Sequence, residues 1–362
     1  MIQSLPSRRP LVTSMGVDIG YGHTKLAMGT GPTTASPNPA NAGNADVLCF
    51  PSTVIFSRGA LQHGGVLGNH AVDCVVDGSA HYLYGEGAID ADDGASARSL
   101  DSQFASSTEY AILLKACLKR RHYPLTVERL VLGVPFDRVQ SAAALLKSRF
   151  TGPQQVDGYE CDVRAVQVVA QPVAAFLWQL HSAGQSVDVN KYSCLTVDIG
   201  YRTVDWACTR GLKLVEPRCG SAPGGVHRLV RHICEELSQH AGEDCSSFAM
   251  RARIEHCLRH RSEFIEVGTR RFAMSHFMPA VQKLIEQSLL PISESIGTAT
   301  DITDIHVVGG GCELYASALA KRFPHKRLIR AVEPQFAVVR GLQHSLIDAH
   351  DWHAGTCQAR LR

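Results

Sequence analysis

The sequence predicts an α/β protein built as two copies of one theme. Strand-like apolar runs alternate with stretches of helical periodicity along most of the chain. The tetrapeptide Asp-Ile-Gly-Tyr occurs twice, at 18–21 and at 198–201. Each copy closes an apolar run and is followed by another, the pattern of strand, glycine turn and return strand. The aspartates, Asp18 and Asp198, stand 180 positions apart. That offset is too long for a solenoid repeat and suits a duplicated domain. A chain of 362 residues is long enough to bury two cores.

In chain order, residues 1–12 read as a loose basic tail, and MGVDIG with YGHTKLAMG as the first hairpin. The Gly-, Pro-, Asn- and Ala-rich stretch 29–46 reads as a loop. The pieces VLCFPSTVIF, AVDCVVDG and HYLYGEG follow as short strands, and 88–103 is polar again. A helix over 107–121 leads into the strand LVLGVPF, a helix over 141–150, the strand CDVRAVQVV and a helix over 172–182. CLTVDIG, YRT and VDWACT form the second hairpin. Helices are expected over 226–239, 248–261 and 277–296, then the strand IHVVGGG, a helix over 314–323, the strand RLIRAVE and a closing helix in PQFAVVRGLQHSLID.

Composition excludes several classes. Charged residues make up 19% and the formal net charge is +2, so no global field draws the chain to nucleic acid or to an anionic membrane. The start MIQSLPSRRPLV has no apolar signal core. No uninterrupted apolar run reaches the roughly 18 to 20 residues that cross a bilayer. The twelve cysteines include no C-x-x-C pair, so they are expected to be reduced and to act as small apolar residues. A soluble cytoplasmic protein is the expectation.

Four segments carry chemistry. In Asp18-Ile19-Gly20-Tyr21-Gly22-His23-Thr24-Lys25, a glycine turn lets backbone N–H groups approach phosphate oxygens. Asp18 at the strand end suits hydrated Mg²⁺, and Lys25 suits the phosphates. The second copy, Asp198-Ile199-Gly200-Tyr201-Arg202-Thr203, offers another carboxylate and another turn, so the pair could grip a polyphosphate from both sides. Val307-Val308-Gly309-Gly310-Gly311 is a strand running into glycines, leaving room for a flat base or ribose. Gln171, before Pro172 at a strand-to-helix junction, suits orienting a water for in-line attack. Each alone is also compatible with an ordinary turn, helix start or strand end. His256 and His260, with Glu255, sit at helical spacing but lack the general base and third ligand of a zinc site. They and the nearby Arg251, Arg253, Arg259, Arg261, Arg270 and Arg271 read as a charged surface.

Together these segments resemble the actin, sugar-kinase and heat-shock-chaperone superfamily, whose phosphate-1, connect-1, phosphate-2, adenosine and connect-2 motifs all occur here in order over roughly 15–345. The aspartate, glycine, glycine and lysine of actin's first loop fall on Asp18, Gly20, Gly22 and Lys25, and Tyr21 replaces its serine. Gly310, Gly311, Leu314 and Tyr315 fall where actin has glycine, glycine, methionine and tyrosine beside the adenine. Within the superfamily the chain looks most like the ParM/StbA plasmid-segregation actins, with the ParM-like protein D of the PRTRC plasmid system as the nearest branch. Phe50-Pro51-Ser52, the stretch 84–88, Gly133-Val134-Pro135, Arg202-Thr203 followed by Asp205, and the stretch 334–341 carry that likeness. Gln171 departs from the family's glutamate and Val338 from a common asparagine.

The resemblance implies an actin-like ATPase fold of two RNase-H-like domains around an interdomain nucleotide cleft. Domain I is expected over 13–185 plus 335–350, with an inserted subdomain about 36–106. Domain II is expected over 190–334, with an inserted helical subdomain about 226–296. It further implies that Asp18 and Asp198 organise Mg²⁺ and that Gln171 positions the attacking water. Gly20, Tyr21, Gly22, Thr24 and Lys25, with Gly200, Tyr201, Arg202, Thr203 and Gly225, would hold the phosphates, and Gly309, Gly310, Gly311 and Tyr315 the adenosine. The ligand is ATP with Mg²⁺, GTP being the alternative nucleotide. The implied function is a head-to-tail homopolymer segregating plasmid DNA through a DNA-binding adaptor, with no direct DNA contact and no membrane. A small-molecule kinase and a non-polymerising ATP-bound scaffold are the rivals, and a chaperone lacks a substrate domain after residue 345.

Overall fold

The computed structural model describes residues 11–30, 47–57, 64–65, 68–69, 73–90, 101, 103–119, 125–183 and 193–345. Residues 1–10 of the expected basic tail and most of the 29–46 and 88–103 stretches lie outside the described residues, as does the end of the closing segment; Leu11 and Val12, expected in the tail, begin the first strand.

Two sheets organise the chain. The first holds eight strands, in the order Gly152–Val156, Tyr159–Val163, Leu125–Val127, Leu11–Ile19, Leu130–Val134 and Val166–Ala170; His23–Thr30 pairs with Leu11–Ile19, and Val47–Pro51 with His23–Thr30. The second holds six, in the order Lys213–Leu214, Thr203–Arg210, Ser193–Ile199, Asp304–Val308 and Arg327–Arg330, with Gly220–Pro223 against Thr203–Arg210. Leu130–Val134 and Ser193–Ile199 are buried along their whole length. Strands covered on both faces read as continuous apolar runs, and Leu130–Val134 does, while Ser193–Ile199 carries Ser193, Thr196 and Asp198 within its run.

The duplicated tetrapeptide marks a duplicated topology. Asp18 lies opposite Lys25 in the antiparallel first hairpin and beside Gly133 of a parallel strand. Asp198 lies opposite Asp205 in the second hairpin and beside Val308 of a parallel strand. Both aspartates therefore end a central strand at the same place in their sheets. A separate apolar core packs around each sheet, one holding Met15, Leu132 and Phe176, the other Val197, Leu229 and Ile305.

The helix Gln171–Ala183 starts directly where the strand Val166–Ala170 ends. The closing helix Ala337–His344 packs between it and the first strand. Glycines permit that approach: a Cβ on Gly341 would lie 1.8 Å from the Ala174 carbonyl oxygen, and one on Gly16 would lie 2.7 Å from that of Val339.

Some elements differ from expectation. The run 161–169 is two strands, Tyr159–Val163 and Val166–Ala170, because Arg164 turns away to donate its N–H to the Val127 carbonyl. The run 47–56 breaks at Ser52, whose N–H goes to Gly22. The single helix expected over 277–296 is two, Met278–Ser288 and Leu290–Ile296, since Pro291 lacks the N–H a continuous helix requires. The 226–296 segment, expected to be helical, also carries the hairpin Phe264–Val267 and Arg270–Ala273. The described cysteines form no disulfide with one another, and Cys117, Cys161, Cys194 and Cys257 are among those buried.

Candidate functional site

Asp18 is almost fully buried at the mouth of the first turn. Lys25, directly across the hairpin, places its Nζ 2.9 Å from Asp18 Oδ2. Gln171, the first residue of its helix, donates from Nε2 to Asp18 Oδ1 at 2.8 Å. Both carboxylate oxygens are thus held, one by a cation and one by an amide. Burial pulls the Lys25 pKa down, but the Asp18 carboxylate outweighs it and the net shift is upward, so Lys25 stays charged.

Asp198 is set differently. It is buried, and a Cβ on Gly309 would come within 2.3 Å of its Oδ1, so only glycine lets that strand end lie against the carboxylate. Gly309 has φ of 88°, a conformation natural to glycine. Burial pushes the Asp198 pKa up to about 7; Lys25 pulls the other way, and Asp205 and Asp18 add repulsion. Asp205 is also raised by burial, to about 6, and its carboxylate accepts from Thr203 Oγ1 at 2.6 Å and from the Phe136 N–H at 3.1 Å. That last bond ties the second hairpin to the segment after Leu130–Val134.

The two turns face each other over one cleft of about 390 Å³, at the lower end of small-molecule sites. Asp18, Gly20, Tyr21, Gly22, Lys25 and Gln171 line it from one side, and Asp198, Gly200, Tyr201, Arg202 and Thr203 from the other. Gly309, Gly310, Gly311 and Leu314 also line it. A Cβ on Gly311 would strike Ile199 Cγ2 at 2.4 Å, whereas one on Gly310 would meet nothing within 4 Å.

Three expected contacts fall elsewhere. Thr24 is fully buried and shares a hydrogen bond of 2.9 Å with Ser52, because it points to the face of the strand opposite Lys25. Tyr315 is buried and gives its hydroxyl to the Gly224 carbonyl, bracing the segment before the helix Val226–Ala241. Gly225 serves packing: its Cβ would lie 2.5 Å from the Gly200 oxygen. The N–H groups of Val226 and His227 are already given to the carbonyls of Gly200 and Tyr201, so this helix start braces the second turn.

Sequence reasoning missed other residues of the cleft wall. Arg138, Glu255, Arg259, Arg261, Glu313 and Gln335 line it. Glu255 and Arg259 form an i,i+4 ion pair of 3.1 Å on the helix Phe248–His260, a segment read as plain charged surface. The neighbouring His256 and His260 rings stand 4.2 Å apart and exposed, and no group of three potential metal ligands occurs among the described residues.

The residues present fit a magnesium–nucleotide group. Asp198 is a buried carboxylate facing the cleft whose pKa burial and neighbouring acids raise, so a nearby cation favours its charged form. Gly310 leaves a flat, open strand end beside it.

Residues 16–173 match the family model described as the actin-like proteins N-terminal domain, and residues 189–345 match the one described as plasmid segregation protein ParM, C-terminal. No curated protein sequence matches the chain. Among solved structures, an archaeal actin homolog in complex with ADP superposes with a TM-score of 0.68 at 16% identity, covering 92% of this chain and 98% of that one. A 15-stranded ParM filament from Clostridium botulinum gives 0.67 at 14% identity, over 93% and 98%. The apo psk41 ParM protein gives 0.61 at 16% identity, over 92% and 96%. No helix among the described residues is long and apolar enough to cross a membrane. With the fold of these proteins and both family models in sequence order, the chain belongs to the ParM-type actin-like proteins.

Proposed function

We propose that this chain binds and hydrolyses Mg-ATP in the cleft and couples that cycle to head-to-tail polymerisation in the cytoplasm, segregating plasmid DNA through an adaptor. One observation carries the reading: the two Asp-Ile-Gly-Tyr turns converge on a single cleft together with Lys25, Gln171 and the Gly309–Gly311 strand end. Magnesium, when bound, neutralises charge on the β- and γ-phosphates. Asp18 and Asp198 would hold it. Lys25, kept charged by Asp18, and the turn amides hold the phosphates. With Gln171 Nε2 given to Asp18, its amide oxygen is the atom left to accept from the attacking water. The protein's share of catalysis is positioning and electrostatics, with no covalent intermediate on the chain.

Family membership and the logic of heterologous contacts that do not close support polymerisation. Nucleotide state would bias the angle between the two halves, and assembly would follow it. The small net charge supports an adaptor between polymer and DNA.

The test is sedimentation with ATP, with ADP and without nucleotide, for wild type and Asp198→Ala, with ATP affinity measured in parallel. Pelleting that requires ATP and vanishes in the variant supports the reading. A protein that binds ATP yet stays in the supernatant across a wide concentration range refutes the filament, and one that binds no nucleotide refutes the whole.

A further inference from the structure

The two turns do more than face each other. Arg202 of the second lays its guanidinium over the ring of Tyr21 of the first, 4.7 Å from the centroid. Its Nη1 donates to the Tyr21 hydroxyl at 2.6 Å, and that hydroxyl donates to the Asp101 carbonyl at 2.9 Å. Arg202 Nη1 also reaches the Asp101 carbonyl, at 3.3 Å. The other face of the arrangement is fixed too: the Tyr21 ring stacks on Phe104, centroids 5.1 Å apart at 29°. Beside this bridge the backbones touch, for a Cβ on Gly22 would lie 2.8 Å from Tyr201 Cβ.

Tyr21, Gly22, Phe104, Tyr201 and Arg202 sit on the cleft wall. They join the two halves of the molecule directly across the site, where a serine at position 21 could neither stack nor span. A cation over an aromatic face combined with a charge-assisted hydrogen bond is a strong but reversible closure. Tyr21, immobilised by Phe104 and Asp101, supplies the fixed side, and Arg202 the side that leaves.

We propose that Tyr21 and Arg202 form an exchange gate, so that nucleotide enters or leaves the cleft only when the ring–guanidinium bridge opens. The gate rests on the nucleotide reading above and adds what sets the rate of release. Its residues are positioning residues, acting through the separation of the turns.

The experiment is stopped-flow release of a fluorescent ADP analogue from the full-length protein, with hydrogen exchange of the turns in the nucleotide-free state. Tyr21→Ser and Arg202→Ala are expected to speed release on the order of tenfold, the scale of losing one hydrogen bond to a charged group, with a smaller change in association. Tyr21→Phe keeps the stack and loses the hydroxyl's hydrogen bonds, so its rate falls between. Gly22→Ala leaves both bridge residues intact and forces the turns apart, so it too releases faster. Faster exchange of the 20–22 and 200–203 amides in Tyr21→Ser, without nucleotide, is the accompanying signature. Folded variants that bind and release at the wild-type rate overturn the gate alone. A wild type that binds no ADP overturns the gate together with the reading beneath it.

Discussion

The three consecutive glycines at 309–311 separate fold from function, because each lacks a side chain for a different reason. A methyl group on Gly309 meets Asp198 Oδ1 at 2.3 Å and the Ile199 carbonyl at 2.4 Å, on a backbone with φ of 88°. An L-residue there costs about 1–2 kcal/mol in conformation, and overpacking adds about 1–3 kcal/mol. Together these come to about 2–5 kcal/mol, and at roughly 2–4 °C per kcal/mol for units of 150–250 residues Gly309→Ala should lower Tm by about 4–20 °C. Gly310→Ala places its methyl in open space, so Tm should hold or rise slightly, since alanine restricts the unfolded chain. Yet Gly310 lines the cleft, and if the adenosine lies against it as proposed, a methyl there should weaken ATP binding about tenfold, or about 1.4 kcal/mol. Differential scanning fluorimetry reads the first effect and calorimetric titration of ATP the second. An unchanged ATP affinity in Gly310→Ala would show that adenosine does not lie against this strand end. A Gly309→Ala protein as stable as wild type would refute the close-approach argument.

Two further outcomes are expected. Gly341→Ala sets a methyl 1.8 Å from the Ala174 carbonyl oxygen, so the closing helix must retreat by roughly 1.5–2 Å to reach ordinary contact; a loss of about 3 kcal/mol in chemical denaturation is expected, and Ser at the same position should do no better. Nucleotide-free wild type should lose stability as pH rises from 5 to 8. Asp198 holds its proton in the folded state up to about pH 7 and loses it near 3.8 when unfolded, so the stability present below the lower value is lost as pH climbs through the upper one, by at most about 4 kcal/mol. Asp198→Asn should flatten that slope in a Tm-against-pH series, and a wild type whose Tm rises with pH over this range would contradict the burial argument.

What the sequence made legible is what chemistry confines to a few neighbouring residues. Asp18, Lys25 and the turn glycines lie within one hairpin, and the second copy of the tetrapeptide announced that a matching turn exists. The strand period also held information that went unused. Lys25 faces the cleft, so Thr24, its immediate neighbour on a strand, must face away, and it does. Leu314 and Tyr315 are likewise adjacent on a helix and about 100° apart, which puts one on the cleft wall and the other in the core. The contribution of Glu255, Arg259 and Arg261 had no such signal. Their helix looks like any charged surface helix until the fold lays one edge of it beside Glu313 and Leu314. Gly16 and Gly341 were equally opaque: Gly16 meets the backbone of Val339 and Gln343, more than three hundred residues on, and Gly341 meets the backbone of Ala174, 167 residues back.

The duplication also explains an asymmetry that neither copy shows alone. Asp18 and Asp198 occupy the same place in matching sheets, each at the end of a buried central strand and each opposite one residue of its hairpin partner. For Asp18 that residue is Lys25, and for Asp198 it is Asp205. One reversal of sign at an equivalent register position therefore sets the two carboxylates in different electrostatic surroundings. The first copy neutralises its own carboxylate with an ion pair of 2.9 Å. The second sets two buried carboxylates side by side, and burial raises both pKa values, Asp198 to about 7 with repulsion from Asp205 and Asp18 added, and Asp205 to about 6. Asp205 relieves its charge through Thr203, Ser221 and the Phe136 N–H, whereas Asp198 lines the cleft with the Lys25 charge opposing the rise from burial. A cation delivered with an anionic ligand would thus act most strongly on the second copy, which is why Asp198→Ala, more than Asp18→Ala, isolates the ligand's effect from that of the resident ion pair.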